Sequence, residues 1–137
     1  LALNATIHTN SRKISAKDFF KGTFETALKK GELITAIEFE VPEKSNYAKL
    51  PNPASRYAIV GVFVAKYKKE VRVAVTGAGS SVFRAKEIES ALSNNFSASA
   101  IDNINISAEE LNSDIHASAE YRANMIRAMA KRAISGC

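Results

Sequence analysis

The stretch RYAIVGVFVAKYKKEVRVAVTG, residues 56–77, decides the fold. The middle of residues 56–67 is a run of consecutive apolar residues, which predicts a strand that is buried on both faces. The segment 71–77 has a strand pattern as well, and only the short charged link KKE separates the two. Two strands joined by so short a link form an antiparallel hairpin. We therefore expect an antiparallel hairpin in the core.

Two further strand regions precede this hairpin. Residues 32–41, ELITAIEFEV, predict a strand with Leu33, Ile37 and Phe39 on one face and Glu38 with Glu40 on a face that meets water. Residues 1–20 predict a hairpin of two short strands, and residues 21–31 a connector. Two short strands bury too little surface to be stable alone. We therefore expect residues 1–20 to belong to a sheet that lies largely outside this chain.

The pattern changes to a helical period after residue 77. Apolar residues at helical spacing predict a helix over RAKEIESALSN, residues 84–94, and a short helix follows, with Ser97 or Ser99 as its cap. The last helix is expected to be capped by Ser113 or Asp114 and to end at Gly136. Strands followed by helices predict an α+β architecture with helices packed on one face of an antiparallel sheet.

Composition is that of an ordinary globular domain. The 137 residues are 46% hydrophobic and 24% charged, and the longest apolar run, Ala58–Ala65, is far shorter than the about 20 residues that span a bilayer. The net charge is +5, but the cations are scattered and are not interleaved with aromatic residues, which argues against a nucleic-acid partner. The lone Cys137 fits a reducing, cytoplasmic location. The first residue is Leu1, so we expect a longer protein.

Few side chains could carry out catalysis. His8 and His116 are the only histidines, and neither has a partner pattern for a nucleophilic triad or a metal site. The pair Glu109–Glu110 is interpreted as solvated surface, with acid–base chemistry as the alternative. GAGSS, residues 77–81, follows a strand as a phosphate loop would, but it lacks the third glycine and the lysine of such loops. We predict no catalytic and no metal-binding residue.

The segment NYAKLPNPAS, residues 46–55, offers a candidate binding site. Pro51 and Pro53 restrict the backbone, which predicts a stiff loop that holds Tyr47 and Lys49 in place. A cation and an aromatic ring on a stiff loop suit a planar, anionic ligand. The alternative is a loop that merely leads into the next strand.

Five segments, in this order, resemble a known family: RKISAKDFF, GTFETALKKGELITAIEFEVP, YAKLPNPASRYAIVGVFVA, VRVAVTGAGSSVFRAKEIESAL and DIHASAEYRANMIRAMAKRA. The chain resembles the C-terminal part of the medium, FAD-binding subunit of molybdenum hydroxylases, the family of the carbon monoxide dehydrogenase and xanthine dehydrogenase flavoproteins. This resemblance implies an antiparallel sheet of three to four strands with three helices on one face. It also implies that residues 1–20 are the closing hairpin of an otherwise absent FAD-binding domain, and that residues 21–137 are a CO dehydrogenase flavoprotein C-terminal-like domain.

The resemblance also implies a cofactor site. Ile34 matches an apolar strand residue beside the flavin, and Lys49 matches a basic residue near the isoalloxazine. Tyr47 is expected as a neighbour at this site. The family's phosphate-binding loops lie in the upstream FAD domain, so this chain alone is expected to be inactive. In such an enzyme, electrons pass from iron–sulfur clusters through FAD to an acceptor.

The implied partners are the upstream FAD-binding domain, a large subunit with the molybdenum cofactor and a small subunit with 2Fe-2S clusters. The exposed strand edge of residues 1–20 would also allow a homodimer of this chain. The alternative to a flavin role is a structural domain that packs subunits together without touching a cofactor.

Overall fold

The computed structural model describes all 137 residues. The strands are β1 Thr6–Thr9, β2 Lys13–Ser15, β3 Phe20–Gly22, β4 Glu25–Thr26, β5 Ile34–Glu38, β6 Lys44–Pro51, β7 Ala58–Lys66, β8 Val71–Thr76 and β9 Phe83–Arg84. The helices are α1 Ala16–Phe19, α2 Lys86–Asn94 and α3 Ala119–Ser135, with a 3-10 helix at Ala98–Ile101. No helix has the length and apolar character needed to cross a bilayer.

Strands β6 to β9 form the main sheet, which is antiparallel and has the order β6-β7-β8-β9. The predicted hairpin is its centre: Val62 pairs with Val75 and Val64 with Val73 across β7 and β8. The link closes with a hydrogen bond of 2.8 Å from the Tyr67 N–H to the Glu70 carbonyl. The prediction of an antiparallel hairpin is confirmed.

The core lies between one face of the main sheet and the helices. Val60, Val62 and Val64 of β7 face this side, and α3 packs against β6 and β7 while α2 packs against β8. The helices contribute fully buried Ile88 and Ile126, among others. Burial of this apolar surface is the main term that stabilises the domain. The predicted α+β class, with helices on one face of an antiparallel sheet, is confirmed.

The prediction of a loop over residues 46–55 is wrong for its first half. Residues 44–51 form β6, which pairs with β7 along its whole length. Ala48 and Leu50 of β6 pack against the core, and Tyr47 and Lys49 alternate with them on the other face. The prolines mark its end, since a proline is tolerated on an edge strand or at a strand terminus.

A second, small sheet has the order β2-β1-β5. The predicted strand over 32–41 is found as β5, but it pairs with β1 of the N-terminal hairpin and not with the main sheet. Every residue of β5 is exposed, and its outer edge is unpaired. The hairpin over residues 1–20 therefore gains a third strand from within this chain. The domain boundary at residue 20 stays a prediction.

The last helix begins later than the sequence pattern indicated. Its N-cap is Ser118, whose hydroxyl accepts a hydrogen bond from the Tyr121 N–H. Asp114 instead accepts hydrogen bonds from the N–H groups of His116 and Ala117, which closes a tight turn before the helix. An aspartate can make either contact, so the sequence pattern alone placed the cap too early.

Glu32 fastens the loop before β5 to the N-terminal hairpin. Its carboxylate accepts hydrogen bonds from Arg12 Nε at 2.8 Å and from the hydroxyls of Thr9 and Ser11. The Lys29 N–H donates to the same carboxylate at 2.8 Å. These hydrogen bonds hold the pKa of Glu32 far below its ordinary value of 4.5. The bond from Arg12 has the largest effect, followed by that from the Lys29 N–H and then those from the two hydroxyls.

We predict that Glu32→Gln destabilises the protein in a pH-dependent way. Because the pKa of Glu32 is lower in the folded than in the unfolded chain, its contribution is complete above about pH 4.5 and is lost as the pH falls further. The stability difference between wild type and variant should therefore be largest at neutral pH and shrink in acid. Urea unfolding at several pH values measures it. Glu109→Gln, at an exposed glutamate, is the control, and a pH-independent difference for Glu32→Gln would contradict the prediction.

Candidate cofactor site

The face of the main sheet that carries no helix is called the open face here. Tyr47 and Lys49 of β6 are both on this face, since side chains alternate along a strand. Their cross-strand partners on β7, Phe63 and Gly61, are on the same face. Thr76 of β8, opposite Gly61, adds to it. The core-facing valines are at the intervening positions. The sheet register thus brings an aromatic ring, a cation and a second aromatic ring together.

One half of the open face borders an apolar groove with a volume of about 370 Å³. The groove lies between the main sheet, through Tyr47 and Phe63, and β5 with its extension, through Ile37 and Phe39. The first residues of the chain close one side, where Ala2 is buried against Ala65 and Ala74. Ten of the eleven lining residues are hydrophobic, so the groove suits an apolar ligand surface.

The other half borders a basic cavity of about 490 Å³. Its lining residues are Tyr47, Lys49, Ser55, Arg56, Tyr57, Ala58, Thr76 and Gly77. Tyr47 and Thr76 line both the apolar groove and the basic cavity. The two spaces therefore adjoin, and together they are called the cleft. The cleft changes along its length from apolar to cationic.

Gly61 makes room for the Tyr47 ring over the sheet. A Cβ atom at Gly61 would lie 2.3 Å from the Tyr47 hydroxyl and 2.9 Å from Thr76. No other residue type would fit without moving Tyr47. The ring remains 43% exposed toward the cleft, while partial burial raises the pKa of its hydroxyl. Tyr47 is thus a neutral aromatic surface at the junction of the groove and the cavity.

Lys49 is held by the loop that follows β6. Its Nζ donates a hydrogen bond of 3.0 Å to the Arg56 carbonyl, across the turn between β6 and β7. Lys49 forms no ion pair in the chain. Its charge is therefore fixed in position and unneutralised.

Ile34 lies apart from the other two predicted contacts. A register shift in β5 sets Ile34 opposite Thr9 and Ile37 opposite Ile7, two residues on the same face of β1. Ile34 is therefore on the side of the small sheet that Ile37 presents to the groove, two residue pairs or about 7 Å further along the sheet. The structure brings Tyr47 and Lys49 together but leaves Ile34 outside the cleft.

Arg122 of α3 supports the floor of the basic cavity from the core side. The residue is 3% exposed. Its Nη1 donates to the carbonyls of Ile59 at 2.7 Å and Gly77 at 3.1 Å, and its Nη2 pairs with Asp114 at 2.7 Å. Gly77 lines the cavity, and Ile59 directly follows the lining residue Ala58. Arg122 was not predicted from the sequence, because a lone arginine on a helix resembles many solvated ones.

The other candidate residues do not assemble into a site. His8 contacts Glu38 at 2.9 Å on the exposed small sheet, and His116 lies in the exposed turn before α3. The GAGSS segment is a connection between strands, with its Ala78 carbonyl bonded to the Asn112 N–H. No group of three or more His, Cys, Asp or Glu side chains is placed to hold a metal ion.

Comparisons with known proteins agree with this architecture. The family model of the CO dehydrogenase flavoprotein C-terminal domain matches residues 45–136, which contain the main sheet and its helices. The chain belongs to this family, and the predicted family membership is confirmed.

The chain is also similar to subunits of larger oxidoreductases. It is 41% identical over 99 residues to the glyceraldehyde dehydrogenase medium chain of Sulfolobus acidocaldarius, covering 64% of this chain and 35% of the relative. It is 29% identical over 150 aligned positions to the nicotine 6-hydroxylase medium subunit of Paenarthrobacter nicotinovorans, covering 98% of this chain and 52% of the relative. The chain thus spans about half or less of the curated relatives it matches.

A solved structure has the same fold. The crystal structure of quinoline 2-oxidoreductase from Pseudomonas putida 86 superposes with a TM-score of 0.79 at 24% identity. The match covers 98% of this chain and 52% of that one. The small sheet is therefore part of the shared fold, since nearly the whole chain is matched.

We predict that Arg122→Met destabilises the protein by about 2–4 kcal/mol, because the two carbonyls lose a buried charged donor. Arg132→Met is the matched control on the same helix. Arg132 is exposed, so its replacement should change stability by less than about 0.5 kcal/mol. Chemical denaturation measures both, and equal effects of the two changes would contradict the role given to Arg122.

Proposed function

We propose that this chain is the C-terminal part of the FAD subunit of a molybdenum-hydroxylase-type oxidoreductase, and that its cleft forms one wall of the flavin site. The observation that carries the proposal is the change in the lining of the cleft along its length. The lining is apolar at one end, with Phe39 and Phe63, and cationic at the other, with Lys49. Family membership and the medium-chain relatives support it.

The residues of the cleft fit an isoalloxazine ring. This ring system is planar, with an apolar dimethylbenzene end and a polar pyrimidine end that becomes negatively charged on reduction. Phe63, Ile37 and Phe39 offer an apolar surface for the first end, and Lys49 offers a positive charge for the second. Tyr47, between them, is placed to cover the ring face. Ile34 would extend the apolar contact along β5.

Bound FAD supplies the electron-transfer chemistry, accepting electrons and passing them on to an acceptor. The residues of this chain bind the ring, exclude water from it and set the local potential. A unit charge at 4–6 Å is worth a few kcal/mol at an effective dielectric constant near 20. Lys49 would therefore favour the anionic, reduced flavin over the neutral, oxidised form.

The rest of the enzyme would come from outside this chain. Glycine-rich loops that cradle a pyrophosphate belong, in this proposal, to an FAD-binding domain upstream of residue 1. In this proposal residues 1–20 close that domain and residues 21–137 form the C-terminal domain, with β5 joining the hairpin to it. The molybdenum cofactor and the 2Fe-2S clusters would be in large and small partner subunits, in the cytoplasm. The chain alone would be inactive.

A purely structural role is the second candidate. The exposed apolar residues Leu33, Ile34, Ile37 and Val41 favour it, because such a surface is suited to packing against another domain or subunit. In this case the cleft would be filled by protein and not by a cofactor. The charge of Lys49 would then have no redox consequence.

Replacement of Lys49 by methionine separates the two candidates. Methionine keeps much of the aliphatic stem and removes the charge. In the FAD-loaded subunit, Lys49→Met should lower the flavin reduction potential by on the order of tens of millivolts, since about 30 mV corresponds to roughly 1.4 kcal/mol for a two-electron couple. A redox titration at pH 7 measures the potential.

Lys69→Met is the control for loss of a positive charge. Lys69 lies in the exposed turn between β7 and β8, at the far end of the main sheet from Lys49. Its replacement should leave the potential unchanged. A wild-type potential in Lys49→Met would contradict the flavin role and favour the structural one.

A further inference from the structure

The loop between β6 and β7 is organised around one buried residue, Asn52. Its side-chain oxygen accepts hydrogen bonds from the N–H groups of Ala54 at 2.9 Å and Ser55 at 3.2 Å. Its backbone N–H donates to the Tyr57 carbonyl at 2.7 Å, and its carbonyl accepts from the Arg56 N–H at 2.9 Å. Four hydrogen bonds to a single residue, between two prolines, fix the path of the loop.

Arg56 has an unusual backbone conformation in this loop. Its φ is 62°, in the left-handed region that glycine and asparagine adopt most easily. An arginine gains nothing locally from this conformation, in which its Cβ crowds the backbone. Such strain persists where the surrounding structure enforces it, and it is concentrated at functional sites. We therefore ask what the side chain and the carbonyl of Arg56 do at this position.

Arg56 belongs to the basic cavity. Its carbonyl accepts the hydrogen bond from the Lys49 ammonium, and Arg56 is one of the residues that line the same cavity as Lys49. None of the eight lining residues is acidic, and neither cation forms an ion pair within the chain. Two cations that line one cavity and have no carboxylate partner make a positively charged site, which attracts an anionic group. The geometry thus fits an anionic ligand group better than an empty space.

We propose that Arg56 is a second cofactor-binding residue of the flavin site. Its guanidinium adds a positive charge beside Lys49, and its carbonyl positions the Lys49 ammonium. This inference rests on the proposed function of the cleft. It assigns the anionic end of the flavin ring to the end of the cleft formed by the loop over residues 52–57. It also explains why a strained position carries an arginine.

Two substitutions at Arg56 separate the charge from the backbone. Arg56→Gly keeps the carbonyl and relieves the strain of the left-handed conformation, so the fold and the Lys49 contact are retained. Arg56→Lys keeps a positive charge. Both are made in the FAD-loaded subunit, together with Lys49→Met and the charge control Lys69→Gln. The flavin reduction potential and the dissociation constant of FAD are measured for each.

Arg56→Gly should shift the equilibrium toward oxidised flavin by on the order of three- to tenfold, where tenfold corresponds to about 30 mV for a two-electron couple. It should also weaken FAD binding severalfold. Arg56→Lys should retain most of the wild-type potential, and Lys69→Gln all of it. This pattern supports the proposal.

Other outcomes overturn it. A wild-type potential in Arg56→Gly, beside a lowered potential in Lys49→Met, would refute the role of Arg56 and leave the proposed function intact. Wild-type potentials in both variants would mean that the flavin lies elsewhere, and both proposals would fall. An equal loss in Arg56→Lys and Arg56→Gly would show that charge at this position is not the cause.

Discussion

The antiparallel pairing of β7 with β6 and β8 is the constraint on which the site depends. Side chains alternate between the two faces of the main sheet, so a single register fixes both the core and the cleft. The pairing that sets Val62 opposite Val75 under the helices also sets Phe63 and Gly61 on the open face, beside Tyr47 and Lys49. A slip of one residue would exchange the two faces and destroy core and cleft together.

The open face is only partly covered within this chain, and this is the energetic reason for expecting a ligand there. The N-terminal residues bury Ala65 and Ala74, but the Tyr47 ring and the groove beside it remain accessible. Covering this apolar surface with a planar ring is favourable, and the adjoining cations suit a ring with an anionic end. Arg122 supports this face from below by holding the carbonyls of Ile59 and Gly77.

The sequence predicted the elements whose signals are local and strong. The β7–β8 hairpin was predicted from an apolar run that a short link separates from the next strand. The helices were predicted because the spacing of apolar residues becomes helical after residue 77. Strand β6 was missed because it begins with three consecutive polar residues and so lacks an alternating pattern, and because the two prolines favoured a loop. The start of α3 was misplaced because Asp114 caps a turn and not the helix.

The cleft could not be predicted from local patterns. Its walls come from three distant parts of the chain, represented by Leu3, Phe39 and Phe63, and only the folded structure joins them. Tyr47 and Lys49 were singled out by the proline-rich segment that follows them, and the family resemblance implied their flavin role. The structure adds Arg56 through its backbone conformation and its contact with Lys49. A left-handed arginine has no signature in the sequence, since most arginines in loops are unstrained and solvated.

A crystal structure of the FAD-loaded subunit would test the central claim most directly. The account predicts that the flavin ring lies along the open face, with Lys49 Nζ within about 6 Å of its pyrimidine end. It also predicts that the dimethylbenzene end lies toward Phe39 and Phe63. A flavin ring more than about 10 Å from Lys49, beyond the range of an unscreened interaction, would contradict the account.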